Sequence, residues 1–219
     1  MNHSTIILNK QNSFCISLES KPERWIRMQN RLQLFDLSVN KWNATTPDNL
    51  VDTFYHGMNP YQKACAQSHI NIWRYMVLHH LEYVFILEDD ACFDKQWLDK
   101  LKLFSNHIGD EPWDAIFLNA SEPMECINTW DIILEQYLTG GYILSLRGAM
   151  RLLDRFKDCF YSSDWMTSRL QEFGACYSYF PWLIIQEGIE STIGSGVEID
   201  HEKVVRCLNE IEYSLDNYV

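Results

Sequence analysis

Residues 83–94, which read YVFILEDDACFD, decide the fold of this chain. An unbroken apolar run of this length is typical of a strand that is buried on both faces of a parallel sheet covered by helices. Glu88, Asp89 and Asp90 follow at the carboxyl end of that strand, where open α/β sheets bind their ligands. The stretch therefore predicts an α/β fold with an acidic site at one edge of its sheet.

The three adjacent carboxylates suggest a cation. They repel one another, and burying them unpaired is costly, so a positive charge is expected beside them. Ligand sets made of oxygen alone suit Mg²⁺ or Mn²⁺, which usually binds one or two carboxylates together with the phosphates of a substrate. The alternative is a solvated acidic turn that ends the strand, and this stretch alone leaves both interpretations open.

The composition indicates a globular chain with an acidic surface. Its 219 residues are enough for one α/β domain, and 47% apolar content with 14% aromatic residues excludes a disordered chain. A formal net charge of −12 argues against nucleic acid and anionic membranes as partners. Seven scattered cysteines, no secretory signal and no membrane-spanning apolar stretch predict a soluble cytoplasmic protein, either of a bacterium or, if viral, of its host cell.

Strands and helices alternate through the first two-thirds of the chain, as in a sheet built from βαβ units. After the acidic triplet, the spacing of Phe93, Trp97, Leu101 and Phe104 predicts a helix with Asp94 as its N-cap. No repeat or linker is visible, so a single domain over residues 1–219 is expected. The other predicted strands lie at residues 13–18, 37–42, 113–119 and 137–146, and a pair of strands interrupted by Pro181 is predicted over 177–185. The other predicted helices lie at 22–35, 61–80, 148–156, 162–173 and 204–215.

Four more positions are candidates because of their place in this pattern. Arg24 lies in the first helical turn after the first strand, where it either holds a phosphate or carboxylate or simply faces solvent. Ser68 and His69, on the helix at 61–80, are more often buried polar residues bonded to a neighbouring loop. A zinc site at His69 is set aside, because no second ligand pair has suitable spacing. The Gly pair that includes Gly141 suggests either a bulge or a close approach of backbone to ligand.

Taken in order, these landmarks resemble glycosyltransferase family 25, the lipopolysaccharide-type and collagen-type galactosyltransferases. Ser17 stands where the family usually has Asn, and Ala64 where it has Gly, which leaves the donor sugar open. The resemblance implies a single GT-A-like domain with a mostly parallel central sheet flanked by helices. The matching segments are FCISL (14–18), PERW (22–25), ACAQSH (64–69), YVFILEDD (83–90), WDAIFL (113–118), GYILS (141–145) with GA (148–149), and Asp164.

The resemblance also implies roles for individual residues. Asp90 would bind Mn²⁺ or Mg²⁺ directly, and Glu88 or Asp89 would reach the metal through water or hold the ribose of a UDP-sugar. Asp164 is the first candidate for the base that takes a proton from the acceptor hydroxyl, although an acid in a first helical turn also has a purely structural use. Further candidates are Glu122 as an alternative base, His201 as a third metal ligand, and Ser17, Leu18, Arg24, Ser68, His69 and Gly141 as nucleotide contacts.

The implied activity is a metal-dependent, inverting transfer of galactose or glucose from a UDP-sugar to a glycan or glycosylated acceptor. A second hypothesis is a non-catalytic carbohydrate-binding protein on a degenerate transferase fold, with Trp130, Tyr161 and Trp165 among its stacking aromatics; the intact acidic triplet speaks against it. A metal-dependent phosphatase or nuclease is disfavoured, since no further Asp or His motif has metal-ligand spacing. The sequence does not indicate an oligomeric state.

Overall fold

A computed structural model describes residues 6–109, 111–188 and 197–219 of the protein. Within these ranges two short 3₁₀ helices, Pro47–Asn49 and Leu215–Asn217, accompany the main elements. The strands are β1 (Ser13–Ser17), β2 (Asn40–Asn43), β3 (Tyr83–Glu88), β4 (Ala91–Phe93), β5 (Ala115–Phe117), β6 (Thr129–Ile132), β7 (Gly141–Ser145), β8 (Cys176–Phe180) and β9 (Ile184–Gln186). The helices are α1 (Pro22–Gln33), α2 (Pro60–Leu78), α3 (Trp97–Ile108), α4 (Leu146–Phe156), α5 (Ser163–Phe173) and α6 (Val197–Glu210).

A seven-stranded sheet with the order β2-β1-β3-β7-β5-β8-β6 forms the centre, and β4 pairs separately with β9. β1 is parallel to β2 and β3, and β5 is parallel to β8, whereas β7 is antiparallel to both β3 and β5 and β6 is antiparallel to β8. Five of the seven strands (β2, β1, β3, β5 and β8) therefore run in one direction, and β7 and β6 run in the opposite direction. The expected mostly parallel, GT-A-like α/β sheet flanked by helices is confirmed.

The central strand β3 is buried on both faces, as its sequence predicts. Val84 and Ile86 pack in one core cluster with residues of α2, α4 and α5, while Phe85 and Leu87 pack in a second cluster with residues of α1 and α3. All four side chains are fully buried, which is worth about 1.5–3 kcal/mol for each large apolar group. The strand leaves the core only at Glu88, so the acidic triplet emerges at the sheet edge.

The region after the triplet differs from the prediction. Helix α3 begins at Trp97, whereas Phe93 belongs to β4 and exchanges backbone hydrogen bonds with Val219. Asp94 is not the N-cap: it is fully buried, and its carboxylate accepts from Gln96 N at 2.7 Å and from Lys100 Nζ at 2.9 Å. Pairing with remote segments therefore prevailed over the helical spacing of the local sequence.

Two further features bear on the sequence predictions. All seven cysteines are free thiols, in agreement with their scattered positions. None of the described helices is both long and apolar enough to span a membrane.

Candidate active-site cleft

A cleft of about 500 Å³ opens at the carboxyl ends of β1 and β3, beside the first turn of α1. Its volume lies within the range of small-molecule sites, about 300–1,000 Å³. Several residues that the sequence singled out line it together: Ser17, Leu18, Arg24, Ser68, Glu88, Asp89 and Asp90. The acidic triplet is therefore in a concave site rather than on an open turn.

Arg24 supplies the positive charge expected beside the acids. Its Nη2 lies 2.6 Å from Asp89 Oδ1 and 3.4 Å from Asp90 Oδ2, and its side chain is only 8% exposed. Burial raises the pKa of Asp89 despite the opposing Arg24 charge. The first-turn position of Arg24 thus holds a carboxylate, one of the two functions that its position suggested.

A chain of buried hydrogen bonds fixes Glu88. The Trp73 indole donates to the Tyr142 hydroxyl, which lies 2.9 Å from His69 Nδ1, and His69 Nε2 lies 3.3 Å from Glu88 Oε1. If the Tyr142 hydroxyl donates its hydrogen bond to His69 Nδ1, and His69 Nε2–H donates to Glu88, every donor in this chain of hydrogen bonds has an acceptor. Thr139 Oγ1 also donates to Glu88 Oε1, at 3.1 Å.

The pKa of Glu88 reflects this environment. Burial alone would raise that pKa, but the hydrogen bonds from His69 and Thr139, assisted by the positive charge of Arg24, outweigh burial and lower it. Glu88 is therefore ionised, and its orientation is set by side chains from α2, from β7 and from the segment that precedes β7.

Asp90 is the acid without a settled partner. Its Oδ1 is buried and finds no hydrogen-bond donor in the described part of the chain. Gln186 Nε2 is 3.5 Å from its other oxygen, Oδ2. Burial, followed by the negative charge of Glu88, raises the pKa of Asp90 to about 7. A carboxylate in this state has free coordination capacity for a cation.

Ser68 and Ser17 line the cleft and have different hydrogen-bond partners. Ser68 donates to Ala64 O on its own helix and accepts from Thr45 N at 2.9 Å, so it holds the loop after β2, as expected for a buried polar residue. Ser17 is 1% exposed and lies beside Asp89, where a hydrogen bond from its hydroxyl partly offsets the raised pKa of that carboxyl. Ser17 therefore lies at the end of β1, next to the acids of the cleft.

Asp164 and Gly141 lie near the cleft but do not line it in the described structure. Asp164 Oδ1 accepts from Trp165 N at 2.8 Å in the first turn of α5; its neighbour Ser163 lies 3.1 Å from Thr139, the residue that donates to Glu88. Gly141 is buried, and a Cβ there would lie 2.5 Å from Ile184. The close approach at Gly141 is therefore to a protein side chain.

Glu122 and His201 lie elsewhere. Glu122 pairs with Lys203 on the surface of α6. His201 lines a small separate cavity with Asn119 and Trp182, and its ring packs against the Cα of Gly188. Neither residue is among the described residues that line the cleft.

The structure also brings Cys65, His69 and Glu88 together, with their ligand atoms within 4.8 Å of one another. These are ligand types that zinc accepts. However, burial and then the charge of Glu88 raise the pKa of the Cys65 thiol well above its usual value. Both ring nitrogens of His69 are already engaged, Nδ1 with the Tyr142 hydroxyl and Nε2 with Glu88, so we do not assign a zinc site to this group.

Several residues of the site were not predicted. Trp73, Tyr142 and Thr139 orient Glu88, and Gln186 contacts Asp90 from β9. Their partners lie 51 to 96 positions away in the sequence. Only the Gly pair after Thr139 marked its segment as unusual.

The chain is similar in sequence to a known protein family and to several known proteins. Residues 10–129 match the family described as "Glycosyltransferase family 25 (LPS biosynthesis protein)". A "Glycosyltransferase 25 family member" of Drosophila pseudoobscura pseudoobscura is 29% identical over 67% of this chain and 27% of that protein. "Procollagen galactosyltransferase 1-B" of Xenopus laevis is 32% identical over 46% and 18%, and a "Probable inactive glycosyltransferase 25 family member 3" of Bos taurus is 28% identical over 64% and 28%. The chain thus spans less than a third of the length of these relatives.

Proposed function

This chain belongs to glycosyltransferase family 25, and we propose that it transfers a hexose, most simply galactose, from a UDP-sugar to a hydroxyl of a glycan or glycosylated acceptor, with inversion. The observation that carries this proposal is the buried Oδ1 of Asp90, which has no hydrogen-bond donor within the described ranges, in a cleft that also holds Arg24. A carboxylate and a guanidinium side by side suit a diphosphate bound together with a divalent cation.

The residues present fit Mn²⁺ or Mg²⁺, because the donor set around Asp90 is made of carboxylate oxygens. Asp90 would be the direct ligand. Glu88 would contribute its second oxygen, since its hydrogen bonds from His69 and Thr139 both fall on Oε1. A bound divalent cation acts as a Lewis acid that stabilises the negative charge of the departing nucleoside diphosphate.

The protein's own groups would bind the donor and move one proton. Arg24 is placed to donate hydrogen bonds to phosphate oxygens, and Ser17 lines the same cleft. In the transfer step the acceptor oxygen bonds to the anomeric carbon while the bond from that carbon to the UDP oxygen breaks, and the acceptor proton goes to a carboxylate. We propose Asp164 for this role rather than Glu122, because Glu122 is paired with Lys203 on the surface.

A thermal-unfolding series tests the proposal. UDP with Mn²⁺, each at about 100 times its dissociation constant, adds about 2.7 kcal/mol of stability per ligand. For a chain of this size that corresponds to a rise of roughly 5–11 °C in Tm. The matched control is Asp90→Asn, which keeps the size of the side chain and should lose the response to Mn²⁺. An unchanged Tm of the wild-type protein with UDP and Mn²⁺ would contradict the proposal.

A non-catalytic sugar-binding protein is the second candidate. The Bos taurus relative, which is named as probably inactive, favours this alternative. In this alternative UDP-galactose binds but is not consumed. Incubation with UDP-galactose and a panel of acceptor glycans separates the two, because only the transferase releases UDP. Full biological activity of an Asp90→Ala variant would also favour the non-catalytic alternative.

A further inference from the structure

Three polar groups without partners converge on one small cavity beside the cleft. Asn119 Nδ2, Trp182 Nε1 and His201 Nδ1 are buried atoms with no hydrogen-bond partner among the described residues, and all three side chains line the same cavity. Asn119 is 2% exposed and Trp182 is 1% exposed. Buried N–H groups are nearly always paired, so this concentration of unpaired groups requires an explanation.

The orientation of Asn119 is set by the protein. Its Oδ1 accepts from Gly141 N at 3.2 Å, so the amide nitrogen is the end left for the cavity. The indole nitrogen of Trp182 can only donate. Both residues line the cavity, so a group bound there that pairs with their N–H groups must be an acceptor such as a neutral oxygen.

The size of the cavity limits its occupant. It has room for about 20 Å³, close to the space that one water-sized oxygen needs. The rest of its wall is largely apolar and includes Leu138, Ile184 and Val204. In such surroundings an unpaired donor is costly and a hydrogen bond is correspondingly strong. One hydroxyl group fits both the volume and the donors.

The cavity adjoins the proposed donor site through a single residue. Gln186 lines both the cavity and the cleft, and its Nε2 lies 3.5 Å from Asp90 Oδ2. Gly140 packs tightly against both side chains here, because a Cβ at this position would lie only 3.0 Å from Asn119 Nδ2 and 3.1 Å from Gln186 Cγ. A sugar attached to a diphosphate at Asp90 would thus lie beside this wall.

We infer that the cavity of Asn119, Trp182 and His201 binds one hydroxyl oxygen of the hexose carried by the donor, and so contributes to the choice of that hexose. This inference rests on the proposed function. Sites built to bind a substrate hydroxyl discriminate strongly against analogues that lack it, because the protein donors are then left unpaired. Asn119 and Trp182 would accordingly be specificity-determining residues.

Calorimetric titration of the whole chain in Mn²⁺ measures the effect directly. The quantity of interest is the ratio of the dissociation constants of UDP and UDP-galactose, which isolates the contribution of the sugar. In the wild-type protein UDP-galactose should bind more tightly than UDP. Among UDP-galactose analogues that each lack one hydroxyl, one should bind at least about tenfold more weakly than the parent, because it leaves two donors unpaired.

Trp182→Phe removes the Nε1–H donor and keeps an aromatic ring at this position. It should weaken UDP-galactose about three- to tenfold, as expected for one neutral hydrogen bond, and leave UDP unchanged. The matched control is Trp97→Phe, since Trp97 is also fully buried and its Nε1 also has no partner among the described residues, but it packs in the core cluster of α1 and α3, away from the cavity. Asn119→Asp is a second variant, because it keeps the oxygen that accepts from Gly141 and replaces the donor.

The outcomes separate the inference from its premise. A tighter wild-type complex with UDP-galactose that responds to Trp182→Phe, but not to Trp97→Phe, supports the cavity as a hydroxyl site. Equal affinities for UDP and UDP-galactose, or a sugar contribution that neither Trp182→Phe nor Asn119→Asp changes, would mean that the cavity holds only water and would overturn the inference alone. Failure of UDP itself to bind would overturn the proposed function and this inference with it.

Discussion

Replacing Arg24 by Met removes the positive charge beside the acidic triplet and keeps much of the side-chain volume. Arg24 and Asp89 are both buried, with 8% and 7% of their side chains exposed, and their charged atoms are 2.6 Å apart. Breaking such a pair from one side typically costs about 3–5 kcal/mol, because the other charge stays buried. At pH 8 we therefore expect Arg24→Met to lower Tm by roughly 6–20 °C in a chain of this size.

The loss should depend on pH with a definite sign. The pKa of Asp89 is raised, and that of Asp90 is raised to about 7. Without Arg24 both carboxyls would hold their protons more strongly, and a protonated carboxyl needs no cation. The destabilisation should therefore shrink as the pH falls from 8 towards 5, and grow again on return to pH 8.

Mn²⁺ supplies the informative part of this experiment. If a divalent cation binds at Asp90, it replaces part of the missing positive charge, so the variant should gain more stability from Mn²⁺ than the wild-type protein gains. At about 100 times the dissociation constant this gain is about 2.7 kcal/mol. Differential scanning fluorimetry with and without chelator measures both quantities on the same samples.

Arg151→Met is the matched control. Arg151 Nη1 lies 2.8 Å from Oδ2 of the fully buried Asp114, outside the residues that line the cleft. This variant should also lose stability, but Mn²⁺ should not restore it beyond the wild-type response. Two results would refute the reasoning: wild-type stability of Arg24→Met at pH 8, or equal effects of Mn²⁺ on Tm of the two variants relative to wild type.

Three further changes have definite expected results. Asp90→Asn should abolish the Mn²⁺-induced rise in Tm; in chelator, its stability relative to wild type should increase as the pH rises from about 4 to 7, because an ionised Asp90 is disfavoured in the folded protein. Asp114→Ala should cost about 1–3 kcal/mol in urea unfolding, since the backbone N–H of Ala175 loses its acceptor, whereas the side chain of Arg147 is 38% exposed and can be solvated. Tyr142→Phe should cost about 1–3 kcal/mol in the same assay, because the buried Trp73 N–H loses its acceptor.

The parts of the fold that the sequence predicted are those encoded locally. The apolar run of β3 identifies a doubly buried strand, and the acids that follow it must lie at a sheet edge. β6 was not predicted because it is an edge strand in which Trp130 is buried while Asp131 and Ile132 are exposed, so four residues give no clear alternation. Phe93 was assigned to a helix because its spacing from Trp97 fits one, whereas pairing with β9 decides its structure.

The candidate site shows the same division. Arg24 follows from its distance to the end of β1, since both sit within one strand–helix unit. The residues that orient Glu88 could not be found this way: Thr139 precedes β7, Tyr142 lies within it, and only the pairing of β7 with β3 brings them to the acid. The role of a residue whose partners lie on another strand can therefore be predicted from the sequence only where the order of the strands in the sheet is also known.

Three adjacent carboxylates end in three different states, and this difference assigns their roles better than the motif does. Glu88 is held by His69 and Thr139 and has a lowered pKa; Asp89 is bound to Arg24; Asp90 Oδ1 has no donor among the described residues. Different environments give neighbouring acids different pKa values, and in this way one site gives similar side chains different functions. Glu88 is oriented and Asp89 is neutralised, so Asp90 is the member of the triplet whose charge is left for a ligand to balance.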